Sequence, residues 1–508
     1  RNDAGQSKTT KEQTSRRHEE ETLKRLSVIR SILLLLRAPG HTATNDATWS
    51  NGARTHAPFQ PHDSHPPPPP RPAMPALASL LLSRPAGWLA AAVFALLDAL
   101  DVLLCLVYAV LDGLLEDCPV ACYCHRTHTH GADEGVSDTL YVRRSAARDA
   151  LLGLLRRVGV GRRRRQKDAS PEKARSPRWS DCGCGTCLAW RSTGGGDRLH
   201  FVVNEPPPAP KDAAAGTRSR EGDAIFVHGF TSSSAFWAQT VFPELAAANR
   251  RLLAVDLLGF GDSPKPANCA YTMRDHVEAI ERSLVDPLAL ASFHLVGHSM
   301  GCVVAVALAA KHPARVKSVT LVAPPYFLPC EEKASQVALR RLAEKKLWPP
   351  LLFGSAVMSW YEHVGRTVCL VVCKNHRVWE WLIRTVTRTS GVDFVVRDLT
   401  RHTHHSAWNT MHNVICGGAG AQDRNLEALA AAGVPVRVVH GDGDQVVPVE
   451  CSSRHLKSKL PRAEIRIVGG RDHRTVVFGR EKEFTKELRD FWSACEKPTM
   501  DASGCDAA

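Results

Sequence analysis

The chain has 508 residues, of which 44% are hydrophobic and 23% are charged, and its formal net charge is +13 at pH 7. This composition is typical of a globular protein with one large or two ordinary domains. Much of the positive charge lies between Arg156 and Arg178, in a run that contains no aromatic residue. Such a run indicates a solvated linker or a segment near an anionic membrane surface, so we predict no nucleic-acid partner.

The first 73 residues differ in composition from the rest of the chain. They are polar, they include five consecutive prolines from Pro66, and they precede the first methionine, Met74. We interpret residues 1–73 as disordered, or as a translated leader that is not part of the native protein.

A strongly apolar stretch, Trp88–Leu115, lies within residues 74–124 and is long enough to span a bilayer as a helix. Helical geometry places Asp98, Asp101 and Asp112 on one narrow face of it. Three alternatives stay open: a cleaved signal sequence, a membrane helix with its polar stripe against a partner, and a helix of a soluble protein. We expect membrane association through this stretch. The basic residues that follow it would place the remainder in the cytoplasm.

Many of the sixteen cysteines fall into three clusters, which are Cys118/Cys122/Cys124, Cys182/Cys184/Cys187 and Cys369/Cys373. The first cluster follows the apolar stretch, where acylation is expected. The second lies in a basic linker, residues 125–198, and no second cysteine pair has zinc-finger spacing. We therefore favour a local structural or redox role for the second cluster, and we predict neither a metal nor a cofactor.

Short apolar runs alternate with helical segments on both sides of a long interruption. The runs are 199–204, 224–227, 252–255, 293–296, 316–322, 435–439 and 464–468. The alternation predicts an α/β fold with a mostly parallel sheet covered by helices on both faces. The sheet would be formed by residues 199–325 and 430–495, and residues 496–508 would be a disordered tail.

The interruption, residues 326–429, predicts a helical cap inserted into the sheet domain. It is rich in tryptophan and histidine, including His412. Its group His402, His404 and His405 suggests either a metal cluster or exposed loop residues, of which we favour the second. We expect its aromatic and aliphatic side chains to line a groove for an apolar chain, as listed here: Leu351, Leu352, Phe353, Trp360, Trp379 and Trp381.

The segment 293–311 has the pattern strand, Gly-His-Ser-Met-Gly, helix. This is the context of a nucleophile elbow, in which Ser299 occupies a strained turn and exposes its hydroxyl. Gly297 and Gly301 allow the tight turn, and His298 and Met300 flank the serine. The helix that follows directs its positive end at the same point.

A serine hydroxyl needs a base, and the base needs a carboxylate to orient it. In this architecture the acid and the histidine follow the serine in chain order, each on a loop after a late strand. Asp444 fits the acid because it begins Asp-x-x-x-Pro, with Asp442 as the alternative, and His473 fits the base.

Two backbone amides would form the oxyanion hole. One belongs to Met300, directly after the nucleophile, and the other belongs to Phe230, on the loop after an early strand. His228 and Gly229 precede Phe230, and we expect His228 to support this loop rather than to act as the base.

These motifs resemble the α/β-hydrolase superfamily over residues 199–495. More narrowly, the chain resembles the plant BODYGUARD family in its apolar N-terminal helix and in the motifs at 181–187, 226–230, 472–477 and 479–484. The resemblance implies an eight-stranded sheet. It also implies a lysophospholipase or polyester-related acyl enzyme that contributes to the cuticle and lies at the cell wall.

We therefore predict a serine hydrolase that acts on lipid-like carboxylic esters without a cofactor. Two alternatives remain: an acyltransferase or polyester synthase with the same triad, and a hydrolase-fold ligand receptor with slow turnover. Epoxide hydrolases and haloalkane dehalogenases are excluded because their elbow carries aspartate where this chain has Ser299.

Overall fold

A computed structural model of the chain describes residues 85–116, 135–140, 178–192, 198–206, 222–246, 249–326, 357–388, 390–419 and 421–496. Several predictions concern residues outside these ranges. They are the N-terminal residues 1–73, the acylation of Cys118, Cys122 and Cys124, most of the linker 125–198, the tail beyond 496, and the groove residues Leu351, Leu352 and Phe353.

A seven-stranded sheet forms the centre of the fold, in the spatial order β1-β3-β2-β4-β5-β6-β7. The strands are β1 (Phe201–Asn204), β2 (Asp223–Val227), β3 (Leu252–Val255), β4 (Phe293–His298), β5 (Val316–Val322), β6 (Val436–Gly441) and β7 (Glu464–Val468). Strand β1 pairs antiparallel with β3, and every other pair is parallel. The expected count of eight strands is corrected to seven in the described residues, because each of the seven apolar runs forms one strand.

Helices cover both faces of this sheet. Those of the sheet domain are α3 (Ala235–Thr240), α4 (Phe242–Leu245), α5 (Met273–Ile280), α6 (Met300–Lys311), α11 (Asp423–Ala431), α12 (Ser453–Lys459) and α13 (Glu481–Glu496). Helix α5 begins with a capping box, in which Thr272 and Asp275 satisfy each other's backbone amides. One face buries Leu295 against α6, and the other buries Trp237 and Trp492 against Phe226. Burial on both faces explains why the central strands are apolar throughout.

The described residues between 357 and 419 are helical and contain no strand. Their helices are α7 (Glu362–Val371), α8 (His376–Thr387), α9 (Phe394–Asp398) and α10 (His404–Thr410). Polar contacts attach this helical cap to loops of the sheet domain: Ser406 Oγ donates to the Gly259 carbonyl at 2.9 Å, and Arg401 meets Asp262 at 2.5 Å. The contacts place the cap against the loop that follows β3.

The interpretation of the cap histidines as exposed loop residues is wrong. His404 and His405 begin α10, and His402 lies just before it, with none of the three exposed. His412 is buried, and its Nδ1 atom lies 2.8 Å from the Thr139 hydroxyl. The histidines are covered because α10 packs against α7 within the cap and contacts the loop after β3 of the sheet domain, so local composition did not indicate their burial.

The apolar stretch forms a long helix, α1 (Pro85–Leu115), which packs against cap helix α7. Within it, residues 92–115 have a mean hydropathy of 2.3 and are long and apolar enough to cross a membrane. The opposite side exposes Leu96, Leu103, Val110 and Leu114. These positions recur at intervals of three to seven residues, so they form one apolar stripe along the helix.

The predicted aspartate stripe of α1 bonds to the cap of the same chain. Tyr361 Oη donates to Asp98 at 2.9 Å, and the His363 amide donates to Asp101 at 2.9 Å. Burial tends to lower the pKa of His363, but the Asp101 carboxylate beside its ring raises that pKa to about 10. The partner of the polar stripe is therefore the chain's own cap helix.

Asp112 is the most heavily bonded residue of this junction. Arg366 donates to it through both terminal nitrogens, at 2.6 and 2.7 Å, and the Trp179 indole and Arg178 donate at 2.7 and 2.9 Å. Burial raises the pKa of Asp112, but the bonds from Arg366 outweigh it and hold that pKa below its usual value. Four charge-assisted or indole bonds compensate for burying this carboxylate on an apolar helix.

Candidate active site

The turn between β4 and α6 holds Ser299 in a backbone conformation that residues other than glycine rarely adopt, with φ 50° and ψ −122°. A methyl group at Gly297 would lie 2.8 Å from the Cys302 backbone, and one at Gly301 would lie 2.5 Å from the Val227 and His228 carbonyls. Only glycine fits these two positions, because β4, α6 and the end of β2 meet there. The strained turn lifts the Ser299 hydroxyl out of the sheet edge.

The structure brings the three predicted triad residues together. His473 Nε2 lies 2.9 Å from Ser299 Oγ, and His473 Nδ1 lies 2.7 Å from Asp444 Oδ2. Each side chain lies at the carboxyl end of a parallel strand: β4 for the serine, β6 for the aspartate and β7 for the histidine. Because these strands are parallel and close together in one sheet, with only β5 between β4 and β6, residues separated by up to 174 positions meet at one edge.

Asp444 is buried and accepts bonds on both oxygens. Oδ1 receives the amides of Val446 and Val447, both at 2.8 Å, and Oδ2 faces His473. Burial raises its pKa, but the bonds from His440 and His473 outweigh burial and lower it well below the usual value. The alternative acid, Asp442, is exposed and accepts the Gly470 amide at 2.7 Å instead.

A residue that sequence reasoning missed, His440, supports this carboxylate from below. His440 is fully buried at the end of β6, and its Nε2 atom lies 2.8 Å from the Val447 carbonyl and 3.1 Å from Asp444 Oδ2. The Ser453 hydroxyl lies 2.6 Å from Nδ1. A histidine at an otherwise apolar position of a central strand was the available signal, since a buried polar group needs such partners.

His298 positions the histidine loop. It is buried, its Nε2 atom donates to the His473 backbone carbonyl at 2.9 Å, and its ring stacks on Phe236 at 4.8 Å. Burial, together with the neighbouring His473, lowers the pKa of His298 to about 3, which keeps the ring neutral. A neutral ring with one N–H suits a single carbonyl acceptor.

The loop after β2 passes close to the serine. A methyl group at Gly229 would lie 2.9 Å from His298 Nδ1 and 3.3 Å from Ser299 Cβ, so glycine permits the approach. His228 is buried beneath the loop: Nδ1 donates to the Gly229 carbonyl at 2.7 Å, and Nε2 accepts the Leu257 amide at 2.9 Å. His228 therefore holds backbone on both sides and does not contact Ser299 Oγ.

The two predicted oxyanion donors lie on either side of the serine. Met300 is the first residue of α6, where the backbone amide has no acceptor within the helix. Phe230 follows Gly229 on the loop after β2, and its ring contacts Phe260 at 5.6 Å. Met300 directly follows Ser299, and Phe230 directly follows Gly229, which approaches Ser299 Cβ, so the assignment of these two amides to an oxyanion hole stays a prediction.

An aromatic series that the sequence did not reveal connects the cap to this site. The ring centroids of Phe394 of α9 and Phe478 lie 6.0 Å apart, and those of Phe478 and Phe236 lie 5.3 Å apart. Phe236 in turn stacks on His298.

The predicted groove residues Trp379 and Trp381 are 41% and 58% exposed. Trp360 is half-buried. The two exposed tryptophans lie on α8.

The arrangement contains the groups that acyl transfer requires: a hydroxyl, a base within hydrogen-bond distance, a buried carboxylate and a helix N-terminus. Three groups of side chains in the described residues have geometry suited to a metal, and none includes Ser299, Asp444 or His473. The site is therefore suited to nucleophilic chemistry on an ester carbonyl by the protein's own side chains.

Comparisons with known proteins agree with the fold. The family model for the alpha/beta hydrolase fold matches residues 225–349. "Probable lysophospholipase BODYGUARD 4" of Arabidopsis thaliana is 46% identical over 415 residues, covering 80% of this chain and 97% of the relative. "Probable lysophospholipase BODYGUARD 1" of the same plant is 38% identical over 462 residues, covering 80% and 96%.

A carboxylesterase structure from Nitrososphaera gargenis aligns with 58% of this chain and 94% of its own, at 18% identity and a TM-score of 0.40. The alignments with the two BODYGUARD relatives cover nearly the whole length of each relative. They extend well beyond residues 225–349, which the family model matches. The chain therefore belongs to the BODYGUARD family of α/β-hydrolases, and it is an ester hydrolase.

Proposed function

We propose that this protein hydrolyses lipid-like carboxylic esters, lysophospholipids among them, through an acyl-enzyme on Ser299. The observation that carries the proposal is the continuous hydrogen-bonded series from Ser299 Oγ through His473 to Asp444, at 2.9 and 2.7 Å. The relatives are named as probable lysophospholipases, and this name supports carboxylic esters as the class of substrate.

The proposed reaction has two steps, acylation of Ser299 and hydrolysis of the acyl-enzyme. Ser299 Oγ bonds to the acyl carbon while His473 accepts its proton, and the same proton then passes to the alkoxide that leaves. Water repeats these steps on the acyl-enzyme and releases the fatty acid. Asp444 would hold the His473 tautomer and stabilise its charged form, and the amides of Phe230 and Met300 would receive the negative oxygen.

The exposed stripe of α1 supports a membrane-bound source of substrate. Leu96, Leu103, Val110 and Leu114 face solvent on a helix whose other side is bonded to the cap. Helix α8 adds exposed Val386, Trp381 and Trp379 to the apolar surface of the cap. Apolar side chains with flanking tryptophans are typical of proteins that rest in the interfacial region of a bilayer.

We propose that α1 lies along the membrane surface rather than across the bilayer. The bonds to Asp98 and Asp112 are fourteen positions apart, which corresponds to about 21 Å along a helix. If α1 crossed the bilayer, its bonded partners Tyr361, His363 and Arg366 would enter the hydrocarbon with it. An arginine at that depth costs at least about 2.5–3.5 kcal/mol.

A substrate panel tests the proposed reaction. The full chain, purified in detergent, is assayed against lysophosphatidylcholine, p-nitrophenyl esters of increasing chain length and a diacyl phospholipid. We expect hydrolysis of lysophospholipid and long-chain esters and loss of that activity in Ser299→Ala. Stoichiometric ligand binding with turnover below one per hour would favour the receptor alternative instead.

A role in the cuticle and a cell-wall location are proposed from the family resemblance alone.

The product distribution separates hydrolysis from acyl transfer. In the presence of a hydroxy fatty acid, a hydrolase releases free acid, whereas an acyltransferase accumulates the estolide ester. Predominant estolide formation would replace hydrolysis by polyester synthesis as the proposed activity.

A further inference from the structure

Four side chains with metal-binding atoms meet between two distant parts of the chain. This group, named here the Cys3His cluster, consists of Cys182, Cys184, Cys187 and His376. All four ligand atoms lie within 4.8 Å of one another, and His376 Nε2 lies 3.4 Å from the Cys184 sulfur and 3.3 Å from the Cys187 sulfur. In a tetrahedral zinc site, bonds of about 2.3 Å to sulfur and about 2.0–2.1 Å to nitrogen require S···N separations of about 3.5 Å.

The other ring nitrogen of His376 fixes the direction of the imidazole. Nδ1 lies 2.9 Å from Glu380 Oε1, one turn further along α8, and the His376 ring is buried. A histidine that donates one N–H to a carboxylate and presents the other nitrogen to a metal is the common arrangement at zinc sites. The Glu380 bond therefore directs Nε2 toward the three thiols.

We propose that the Cys3His cluster binds one zinc ion in a closed, structural site. Three thiolates and one imidazole satisfy the tetrahedral preference of zinc and leave no position for water or substrate. Soft sulfur ligands disfavour calcium and magnesium, which prefer oxygen. The site is independent of the proposed ester hydrolysis because it contains no triad residue.

The ion would fasten the segment 178–192 to the cap. Helix α2 (Gly185–Ser192) contains Cys187, and the loop before it contains the other two cysteines. The same segment bonds to α1 through Arg178 and to the cap through Trp179, whose carbonyl accepts Lys374 Nζ at 2.7 Å. Zinc would thus join this short segment to α8 through His376, while Arg178 of the same segment bonds to α1.

A second, separate observation indicates another ion nearby. Cys369 and Cys373 lie 3.7 and 3.6 Å from His402 Nε2, with all three ligand atoms within 4.8 Å. The buried Nε2 atom of His404, two residues after His402, has no hydrogen-bond partner in the described part of the chain. We infer that Cys369, Cys373 and His402 bind a second zinc ion.

Metal analysis of the full chain tests both sites. The protein is purified in detergent without chelator, and zinc is measured by plasma mass spectrometry against protein concentration. We expect two zinc ions per chain, one in Cys184→Ser and one in Cys373→Ser. The matched control, Cys495→Ser, removes a partly buried cysteine outside both clusters and should keep two.

Each substitution can overturn its own site. An unchanged zinc content in Cys184→Ser would contradict the Cys3His cluster, and an unchanged content in Cys373→Ser would contradict the second site. Loss of both ions in either variant would mean one shared centre and would overturn the assignment of two. A disulfide among the three cysteines of 182–187, found by peptide mass spectrometry without reductant, would also contradict the first site.

Cobalt reconstitution keeps the proposal testable if a variant does not fold. Wild-type chain stripped with a chelator should take up two Co²⁺ ions and develop the strong visible absorption and thiolate charge-transfer bands of tetrahedral sulfur coordination. Weak octahedral absorption would overturn the proposal. Labelling of Ser299 by a fluorophosphonate, measured in the same samples, reports separately on the proposed ester hydrolysis.

Discussion

The catalytic edge of the sheet and the junction of α1 with the cap are built from different interactions. At the catalytic edge, which comprises the loops after β2, β4, β6 and β7, backbone amides and carbonyls hold His228, His298 and Asp444 in place. At the junction, ion pairs such as Asp112–Arg366 join side chains 254 positions apart. The edge is therefore held by hydrogen bonds to backbone groups, whereas the junction depends on a few charge pairs between side chains.

The difference predicts that substitutions in the two regions will have separable effects. A change at the catalytic edge that preserves side-chain shape should remove activity and leave stability nearly unchanged. A change at the junction should lower stability or membrane binding and leave the chemistry of folded molecules intact.

The largest expected effect is that of Ser299→Ala. Because we propose its hydroxyl as the nucleophile, turnover of a p-nitrophenyl ester should fall by about 10⁴-fold or more. The melting temperature should stay within a few degrees of wild type, since Ser299 lies in a strained turn and only its hydroxyl is removed. A variant that keeps most of its turnover would place the nucleophile elsewhere.

Asp444→Asn should lower turnover by about 10²–10⁴-fold, because an amide cannot stabilise the charged form of His473 and favours the wrong tautomer. The matched control is Asp442→Asn, two residues away on the same loop, where the exposed carboxylate accepts the Gly470 amide and lies outside the hydrogen-bonded series. Steady-state kinetics on one ester compare the two. A larger loss in Asp442→Asn would transfer the acid's role to that residue.

The residues of the proposed triad also show how much of the site the sequence could predict. Ser299, Asp444 and His473 follow strand-forming runs in a fixed order, so spacing and turn chemistry sufficed to select them. His440 could not be assigned in the same way, because its partners Ser453 and Val447 become neighbours only when the loop after β6 closes.

The junction and the cysteine clusters were beyond local patterns for the same reason. The aspartates on α1 indicated a buried polar face, but nothing in their spacing identified Arg366 as the partner. Likewise, the cysteines at 182–187 indicated only a local structural or redox role, because His376, whose Nε2 atom lies 3.3 Å from the Cys187 sulfur, comes 189 positions later. The sheet, by contrast, followed the predicted alternation, because each of the seven apolar runs forms one strand. The family resemblance implied eight strands, and the described residues contain seven.

At the junction, Asp112→Asn should destabilise the folded state by about 3–5 kcal/mol, because the substitution leaves the buried Arg366 guanidinium without its carboxylate. Chemical denaturation of the detergent-purified chain measures the change. Asp490→Asn, an exposed aspartate on α13, serves as the control and should change stability by less than about 0.5 kcal/mol. Equal stability of the two variants would mean that the ion pair does not hold α1 to the cap.

The pair of Asp101 and His363 predicts a dependence on pH. The pKa of His363 is raised to about 10 in the folded state, against about 6.5 in an unfolded chain. Its stabilisation, about 1.5–3 kcal/mol for a hydrogen bond to a charged group, should be complete below pH 6.5 and disappear as the pH rises toward 10. The stability difference between wild type and His363→Gln should shrink over this range, and a difference independent of pH would contradict the charged pair.

The smallest expected effect concerns the apolar stripe of α1. Replacing Leu103 and Val110 by serine should weaken partition into phosphatidylcholine vesicles by about tenfold, since side chains at the membrane interface gain only part of the about 1.5–3 kcal/mol of a fully buried aliphatic side chain. Ile467→Ser, an exposed apolar residue on β7, should leave partition unchanged. Vesicle flotation measures both, and equal partition of the two variants would exclude the stripe as the membrane contact.

The central claim is that Ser299 is the residue that becomes acylated. Reaction of the active full chain with a fluorophosphonate, followed by peptide mass spectrometry, tests it most directly. We expect a single adduct on the peptide containing Ser299, formed at a rate that falls in Asp444→Asn and is preserved in Asp442→Asn. An adduct on another serine, or full ester hydrolysis without any adduct at Ser299, would contradict the claim.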